Sequence, residues 1–267
     1  VNIVRAVVGY IKNALKNALP EWALNLLGWS NEGSADDNGG AALPQSLAAA
    51  ATPRVNAGDV QRPAGTVDKV TVLNPDGAHN IAVGLNCPIS VEVVGHAGYY
   101  AGGMNKAAQI TITGSAGTGV AENMMSGKVH VKGFASNGAD ASAHGGLLVI
   151  DGDAGLRCGI SLKGGDIVVG GSVGSFSAFM AQAGRMVICG DAGDALGDSL
   201  YEAVLYVKGR IKSLGADAQI EPMTDADLAA VAELLAQAGL NHDPAAFQRV
   251  ASRRALYHWN ADANQEY

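Results

Sequence analysis

The sequence has few cysteines, few aromatic residues and little charge, and each scarcity excludes a class of protein. Its three cysteines, Cys87, Cys158 and Cys189, form neither a disulfide framework nor a Cys-x-x-Cys metal motif. No apolar run reaches 18 residues, so no transmembrane helix is predicted. The 18 basic and 25 acidic residues give a net charge of -7, which argues against a general nucleic-acid binder. We therefore expect a cytoplasmic protein without disulfides.

Glycine is abundant instead, and it recurs at a fixed interval. The chain contains 36 glycines, roughly twice the usual share of ~7%. A second glycine follows most of the recurring ones after three residues and a third follows some after seven, so the repeat is G-x-x-G-x-x-x-G. A constant period of this size is typical of a solenoid. Seven marker glycines are separated by steps of 19 residues: Gly95, Gly114, Gly133, Gly152, Gly171, Gly190 and Gly209.

Alternating apolar residues precede each marker glycine, as in Ile110 and Ile112 or Leu148 and Ile150. This spacing predicts a short strand with one face turned inward. The periodicity of helical repeats and the leucine-asparagine consensus of leucine-rich repeats are missing. The predicted fold is therefore mainly β: a right-handed single-stranded β-helix (solenoid) of about seven 19-residue coils, with flanking α-helices. We interpret the marker glycines as structural corners at which the backbone takes a positive φ.

The chain divides into four predicted segments: an amphipathic helical segment (1–29), a flexible linker (30–66), the β-helix (67–215), and a C-terminal helical cap and tail (216–267). Three outward strand positions of the β-helix, Val149, Val168 and Val187, are apolar and need a cover. Either the terminal helices or a partner protein could provide it. In the last segment Thr224 is expected to cap one helix, and Asp243-Pro244 to begin a second, shorter one.

Eight stretches carry a more specific pattern: 72–75, 79–84, 98–100, 121–127, 144–146, 157–161, 177–182 and 196–199. Together with the repeat, they resemble the C-terminal β-helix domain of the glutamate synthase large subunit. The resemblance covers about residues 67–267. It is strongest to the stand-alone form of this domain in split glutamate synthases and N-methylglutamate synthases. A more distant similarity is to the β-helix subunit of formylmethanofuran dehydrogenase and of the related formyltransferase/hydrolase complex.

The resemblance implies a subunit without chemistry of its own that lies between two catalytic partners. One partner is a glutamine amidotransferase with a cysteine nucleophile, and the other is a barrel that binds FMN and an iron-sulfur cluster. The chain itself is then expected to have no catalytic residue and to bind no cofactor or metal. The sequence agrees, because it has no spaced cysteine triplet for a cluster and no βα alternation of a flavin barrel. Ammonia and methylamine both stay open as the amine substrate.

Residues able to support chemistry are scattered along the repeat. Cys158 follows Arg157 and could be an activated thiol. Its repeat position otherwise holds mostly apolar residues, such as Ala101, Val120 and Leu196, so a buried structural cysteine is predicted. No His-x-His or His-x3-His pairing suggests a metal site among the four histidines of the repeat, which are His79, His96, His130 and His144.

Large and polar residues also follow the third glycine position of the repeat, where stacking would place them in one strip along the solenoid. Methionine and aromatic residues are favoured in buried interface centres, so we predict that this strip docks a partner subunit. The alternative, that these side chains fill corners of the solenoid's own core, stays open. The candidate interface residues are Tyr99, Tyr100, Met104, Asn105, Glu122, Asn123, Met124, Met125, His144, Phe179, Met180, Asp198, Tyr201 and Glu202.

Two other functions stay open from the sequence. A scaffold protein of a formyl-transfer complex that binds a long coenzyme would favour basic residues along a groove, whereas the basic residues of the repeat are scattered. An unrelated β-helix, such as a carbohydrate-active enzyme, would need carboxylates clustered in adjacent coils. No such cluster is found in the sequence.

Overall fold

The structure is a computed structural model that describes residues 68–255. The predicted amphipathic segment (1–29), the linker (30–66) and the end of the tail (256–267) lie outside the described residues. The described part is a mainly β solenoid of about seven turns with a single α-helix near its C-terminal end. The prediction of a mainly β solenoid is therefore confirmed.

Ten strands form one continuous sheet. Strands β1 to β8 are parallel neighbours in chain order, and β10 then pairs antiparallel with both β8 and β9. The strand bounds are β1 Lys69–Leu73, β2 Ser90–Val94, β3 Gln109–Ile112, β4 Lys128–Val131, β5 Leu147–Ile150, β6 Lys163–Val169, β7 Ala183–Ile188, β8 Val204–Val207, β9 Ala218–Glu221 and β10 Gln248–Ser252. Helix α1 spans Asp225–Ala238.

The register of the parallel strands follows the glycine period. Ile110 of β3 pairs with Val129 of β4, which in turn pairs with Leu148 of β5. The 19-residue step continues from β2 to β8, apart from one register shift between Lys163 and Asp166 at the start of β6. The step from β1 to β2 is longer, since Lys69 pairs with Ser90. A second column of parallel bridges joins the small apolar residues that follow each marker glycine: Ala97, Ala116, Ala135, Ala154, Val173, Ala192 and Ile211.

The inward residues of the strands form the core of the solenoid, as their spacing predicts. Each strand from β3 to β8 contributes two apolar side chains that are fully buried, such as Ile110 and Ile112 or Met186 and Ile188. In the opposite column Ala116, Ala135 and Ala192 are each 2% exposed. Large side chains on one wall and alanine on the other allow the two walls to approach closely.

Helix α1 covers the apolar part of the outer sheet face. Val149, Val168 and Val187 are fully buried in a cluster with Val231 and Leu234 of the helix. The prediction that these outward valines need a cover is confirmed, and the cover comes from the chain's own C-terminal helix. The strands that precede this region present Glu92, Thr111 and His130 at the equivalent positions, and these polar side chains are half-buried.

A polar network holds α1 on the sheet. The Tyr206 hydroxyl donates a hydrogen bond to Asp227 Oδ1 at 2.7 Å, and Arg249 Nε of β10 donates to the same oxygen at 3.2 Å. Thr224 caps the helix as predicted, and its backbone N-H and hydroxyl both donate to Asp227. Burial raises the pKa of Asp227, but the hydrogen bonds from Thr224 and Tyr206 outweigh burial and lower that pKa below its ordinary value.

The short helix predicted to begin at Asp243-Pro244 occurs at that position, but it is not an α-helix. Asp243 does cap a turn, but the turn is a single 3-10 turn over Pro244–Ala246, and strand β10 follows it at Gln248. This strand pairs with β8, so it ends the parallel stack with an antiparallel neighbour. The closure satisfies backbone groups that the last parallel strand would otherwise leave unpaired.

The prediction that the marker glycines adopt a positive φ is wrong for all but one of them. Among the seven, Gly95 alone has a positive φ, of 131°. The others are required by the close approach of adjacent coils: a Cβ added to Gly190 would lie 2.6 Å from the Gly171 carbonyl carbon and 2.7 Å from its oxygen. These distances are shorter than ordinary van der Waals contacts, so a side chain would force the coils apart.

Candidate docking surface

The coils that begin at Gly95 to Gly190 each turn back through a corner segment that contains three left-handed backbone positions. In the coil that begins at Gly95 these are Tyr100, Gly102 and Met104, with φ of 61°, 67° and 53°. Their N-H groups bond alternately to the following and the preceding coil: the Tyr100 N-H donates to the Thr118 carbonyl at 2.9 Å, and the Gly102 N-H to the Ile81 carbonyl at 2.8 Å. The corner is therefore fixed by hydrogen bonds on both sides.

The alternation decides which corner side chains point inward. The middle left-handed position is fully buried at Ala121, Asp140 and Ala178. The two outer left-handed positions leave large side chains on the surface, including Phe176, 43% exposed, and Met104, 48% exposed. A surface of outward side chains therefore runs along this edge of the solenoid.

Three of the four methionines of the predicted strip lie on this edge and are exposed. Met104 and Met180 occupy the same repeat position, and Met125 lies two positions further along the coil. Met104 is 48% exposed, Met125 46% and Met180 36%. Six further members of the strip are half-buried and two are exposed on the same segments: half-buried Tyr100, Glu122, Asn123, Phe179, Asp198 and Tyr201, and exposed His144 and Glu202.

Two members of the predicted strip lie in the core. Met124 is fully buried, and so is Asn105. The Asn105 side chain forms a pair of hydrogen bonds with Ala108, donating to its carbonyl at 2.9 Å and accepting from its N-H at 3.0 Å. These two residues therefore stabilise the solenoid itself and cannot contribute to a surface.

Tyr99 is exposed and packs against His79 of the preceding coil. It is 59% exposed, its ring stacks on His79 at a centroid distance of 4.5 Å, and its N-H donates to His79 Nδ1 at 2.8 Å. Phe134 and Leu156, 58% and 50% exposed, are also surface residues, and neither was predicted from the sequence. The exposure of Phe134 could have been predicted from the sequence, because its repeat position otherwise holds polar residues such as Ser115 and Asp153.

A polar cleft adjoins the C-terminal end of the strip. It has a volume of about 350 Å³, and Tyr201 and Glu202 belong both to the strip and to its wall. Arg249 lines the opposite side and is ion-paired with Glu221, while Arg254 Nη2 contacts Glu202 Oε2 at 2.9 Å. The strip thus changes from methionine-rich at its start to charged at its end.

Cys158, Cys189, His96 and His130 have structural roles in the solenoid. Burial raises the pKa of the fully buried Cys158 thiol far above its ordinary value, and burial raises that of Cys189 to about 11. Neither is a reactive thiolate near neutral pH. His96 Nδ1 accepts the Ser115 N-H at 2.9 Å, and His130 Nε2 contacts Asp151 Oδ1 at 2.7 Å. No group of three or more metal-ligating side chains occurs between residues 68 and 255.

No helix within residues 68–255 is both long and apolar enough to cross a membrane. No protein-family model and no solved structure matches the chain. A curated relative described as Protein GlxC, from Rhizobium meliloti (strain 1021), is 60% identical over 197 residues, which is 73% of this chain and 86% of that protein. Identity at this level over most of both chains shows common ancestry and a shared fold. The chain belongs to the GlxC family.

Proposed function

We propose that this chain is a non-catalytic structural subunit of a glutamate synthase-like complex, producing glutamate or N-methylglutamate. In this role it bridges a glutamine amidotransferase subunit and a synthase subunit that carries FMN and an iron-sulfur cluster. The resemblance of the repeat to the glutamate synthase β-helix supports the proposal. So do the inert cysteines of the described part and the engagement of His96 and His130 with the solenoid itself. The assembly would be a cytoplasmic hetero-oligomer.

The exposed methionines are the observation that carries the bridging role. Met104 and Met180 hold a left-handed backbone with φ of 53°, which is unfavourable for a large side chain. At the same repeat position Asn123, Ser142 and Ser161 take the same conformation with small polar side chains that suit it. Both side chains nevertheless leave apolar surface exposed, 48% of Met104 and 36% of Met180. A partner that buries this surface would explain methionine at these two positions.

The strip can be tested with substitutions that the repeat itself already contains. Changing Met104 and Met180 to serine gives both coils the residue found at Ser142, Ser161 and Ser199. We expect an unchanged fold but about tenfold or more weaker retention of the amidotransferase and synthase subunits, because the apolar anchors are lost. The measurement is co-purification of the three co-expressed subunits, with thermal melting of the isolated solenoid as the folding test.

A matched control separates the strip from exposed apolar surface in general. Phe134→Ser also removes an exposed apolar side chain and also introduces a residue of its own column, in which Ser115 and Ser172 occur. This variant should retain both partners as the wild type does. Full retention of the partners by the double serine variant would rule out the strip as the interface. Loss of retention in both variants would show that the strip contributes no more to binding than other exposed apolar side chains do.

The isolated chain is expected to be colourless and to turn over no glutamine. The physical reason is that the described residues supply neither an activated thiol nor a metal-ligand cluster, so the chemistry must come from the partners. The purified chain is examined by its visible absorption spectrum and by glutamate release from glutamine. Stoichiometric flavin, or glutamine turnover, would contradict the non-catalytic role while leaving the docking strip untouched. No observation on the described residues favours the formyl-transfer alternative.

A further inference from the structure

One acidic side chain is sealed inside the solenoid without a partner. Asp140 is fully buried at the middle left-handed position of the central coil, which we define as residues 133–151. Neither of its carboxyl oxygens has a hydrogen-bond partner among the described residues. The same position holds Gly102 and Gly159 in other coils, and Ala121 and Ala178 in two more, none of which has a polar side chain to satisfy.

The surroundings of Asp140 disfavour a negative charge. On the next coil Cys158 is also fully buried, and its thiol is protonated because burial raises its pKa. On β6, Asp166 adds a second negative charge, and its carboxylate is already held by Arg185 through hydrogen bonds of 2.7 Å from Nε and Nη2. Burial, and then repulsion by Asp166, hold the pKa of Asp140 well above its ordinary value. No cation among the described residues pairs with it.

We propose that the central coil is a proton-linked joint of the solenoid: it is packed while the Asp140 carboxyl is neutral and opens locally when that carboxyl ionises. An ionised carboxylate without hydrogen bonds is not stable in an apolar interior, so ionisation requires water to reach it. Water can reach it by separation of the corner segments that hold Asp140 and Cys158. The opening is local, because the neighbouring strands β5 to β7 are held by α1.

The direction of the pH effect follows from the raised pKa. A carboxyl that is harder to ionise in the folded than in the unfolded state contributes most to stability below the unfolded pKa. This contribution declines as pH rises from the unfolded pKa towards the folded one. Over that window the equilibrium constant for packing of the central coil, relative to its open form, should fall about tenfold per pH unit on account of this one group. A variant without the carboxyl should lack that component of the slope.

Cys158 offers a local reporter of the opening. The chain is exposed to a small uncharged alkylating reagent under native conditions from about pH 5 to about pH 9, and the modification of each cysteine is quantified by peptide mass. Because thiols react faster at high pH in any case, the informative quantity is the ratio of the wild-type to the Asp140→Ala rate. Alanine is acceptable at this backbone conformation, since Ala121 and Ala178 already adopt it, with φ of 59° and 56°.

We expect this ratio at Cys158 to rise tenfold or more across the pH range, while the ratio at Cys189 stays constant. Asp153→Asn, which removes an exposed charge from the next coil, should behave as the wild type. Asp140→Asn serves as a second variant that keeps the shape of the side chain and should also remove the pH dependence. A constant ratio at Cys158 would overturn the proposal, and so would parallel increases at Cys158 and Cys189, which would indicate global unfolding.

Discussion

Replacing Gly190 by valine is expected to lower the free energy of unfolding by about 3–5 kcal/mol, at the severe end for a single substitution. Gly190 donates its N-H to the Gly171 carbonyl of the preceding coil at 2.8 Å. A Cβ would lie 2.6 Å from the carbonyl carbon of the same residue. The side chain cannot be relieved by rotation, because the colliding atom is the Cβ itself. The coils must separate, which breaks the hydrogen bond and opens the core on both sides.

The comparison variant is Gly138→Ala. Gly138 has a positive φ of 65°, yet a Cβ there would meet nothing within 4 Å. Alanine at this position should cost about 1 kcal/mol from the left-handed backbone alone. Both variants are measured by denaturant unfolding with a common m-value. If Gly190→Val melts as the wild type does, or if Gly138→Ala is the more damaging change, the close approach of coils is not what selects glycine at the markers.

Changing Val168 to lysine is expected to detach helix α1 and to cost about 4 kcal/mol or more of stability. Val168 is fully buried between β6 and α1, in the cluster that contains Val231 and Leu234. An ammonium group at this position would lie in an apolar cluster, and the helix would have to move to let water reach it. The measurement combines denaturant unfolding with the helical signal in far-UV circular dichroism.

Thr111→Lys is the matched control for this second variant. Thr111 occupies the same outward strand position, but in β3, and it is half-buried beside Glu92. Lysine there gains an opposite charge across the strands, so stability should change by no more than about 0.5 kcal/mol. An intact helical signal and near wild-type stability in Val168→Lys would show that α1 does not depend on the valine column.

The solenoid and its cover could be predicted because they follow from spacing alone. A fixed 19-residue step with Ile110 and Ile112 on one face leaves no other way to bury the apolar residues. The same spacing places Val149, Val168 and Val187 outside, where an apolar cover becomes necessary. These inferences depend on residue type and period only, and the paired register and the buried cluster agree with them.

The role of the glycines could not be predicted in the same way. Recurrence shows that a side chain is excluded at Gly190, but it does not reveal whether backbone conformation or lack of space excludes it. The left-handed conformation in fact lies at positions where Ala121, Asp140 and Ala178 break the glycine pattern. Exceptions within a column were therefore the better signal, since only a few residue types tolerate that backbone.

The antiparallel end of the sheet could not be predicted from the sequence, for a different reason. Strand β10 pairs with β8 and β9 across a helix, so its partners are distant in sequence and no period indicates them. Its sequence, Gln248–Ser252, alternates only weakly, and the preceding Asp243 and Pro244 favour a helical start. The lack of a hydrogen-bond partner at Asp140 could not be predicted either, because a sequence does not show hydrogen bonds. The sequence does show that a carboxylate is unusual at a repeat position that otherwise holds glycine or alanine.

From β2 to β8 each coil adds one strand to the sheet, so the length of the solenoid is set by its number of coils. Each coil advances the sheet by one strand spacing, about 4.8 Å, and no partial step is compatible with the stacked pairs. Two proteins bound at different coils are therefore held at a separation that can change only by whole coils. Evolution can lengthen or shorten such a spacer by duplicating or deleting 19 residues, but any other insertion must leave the stack as a surface loop.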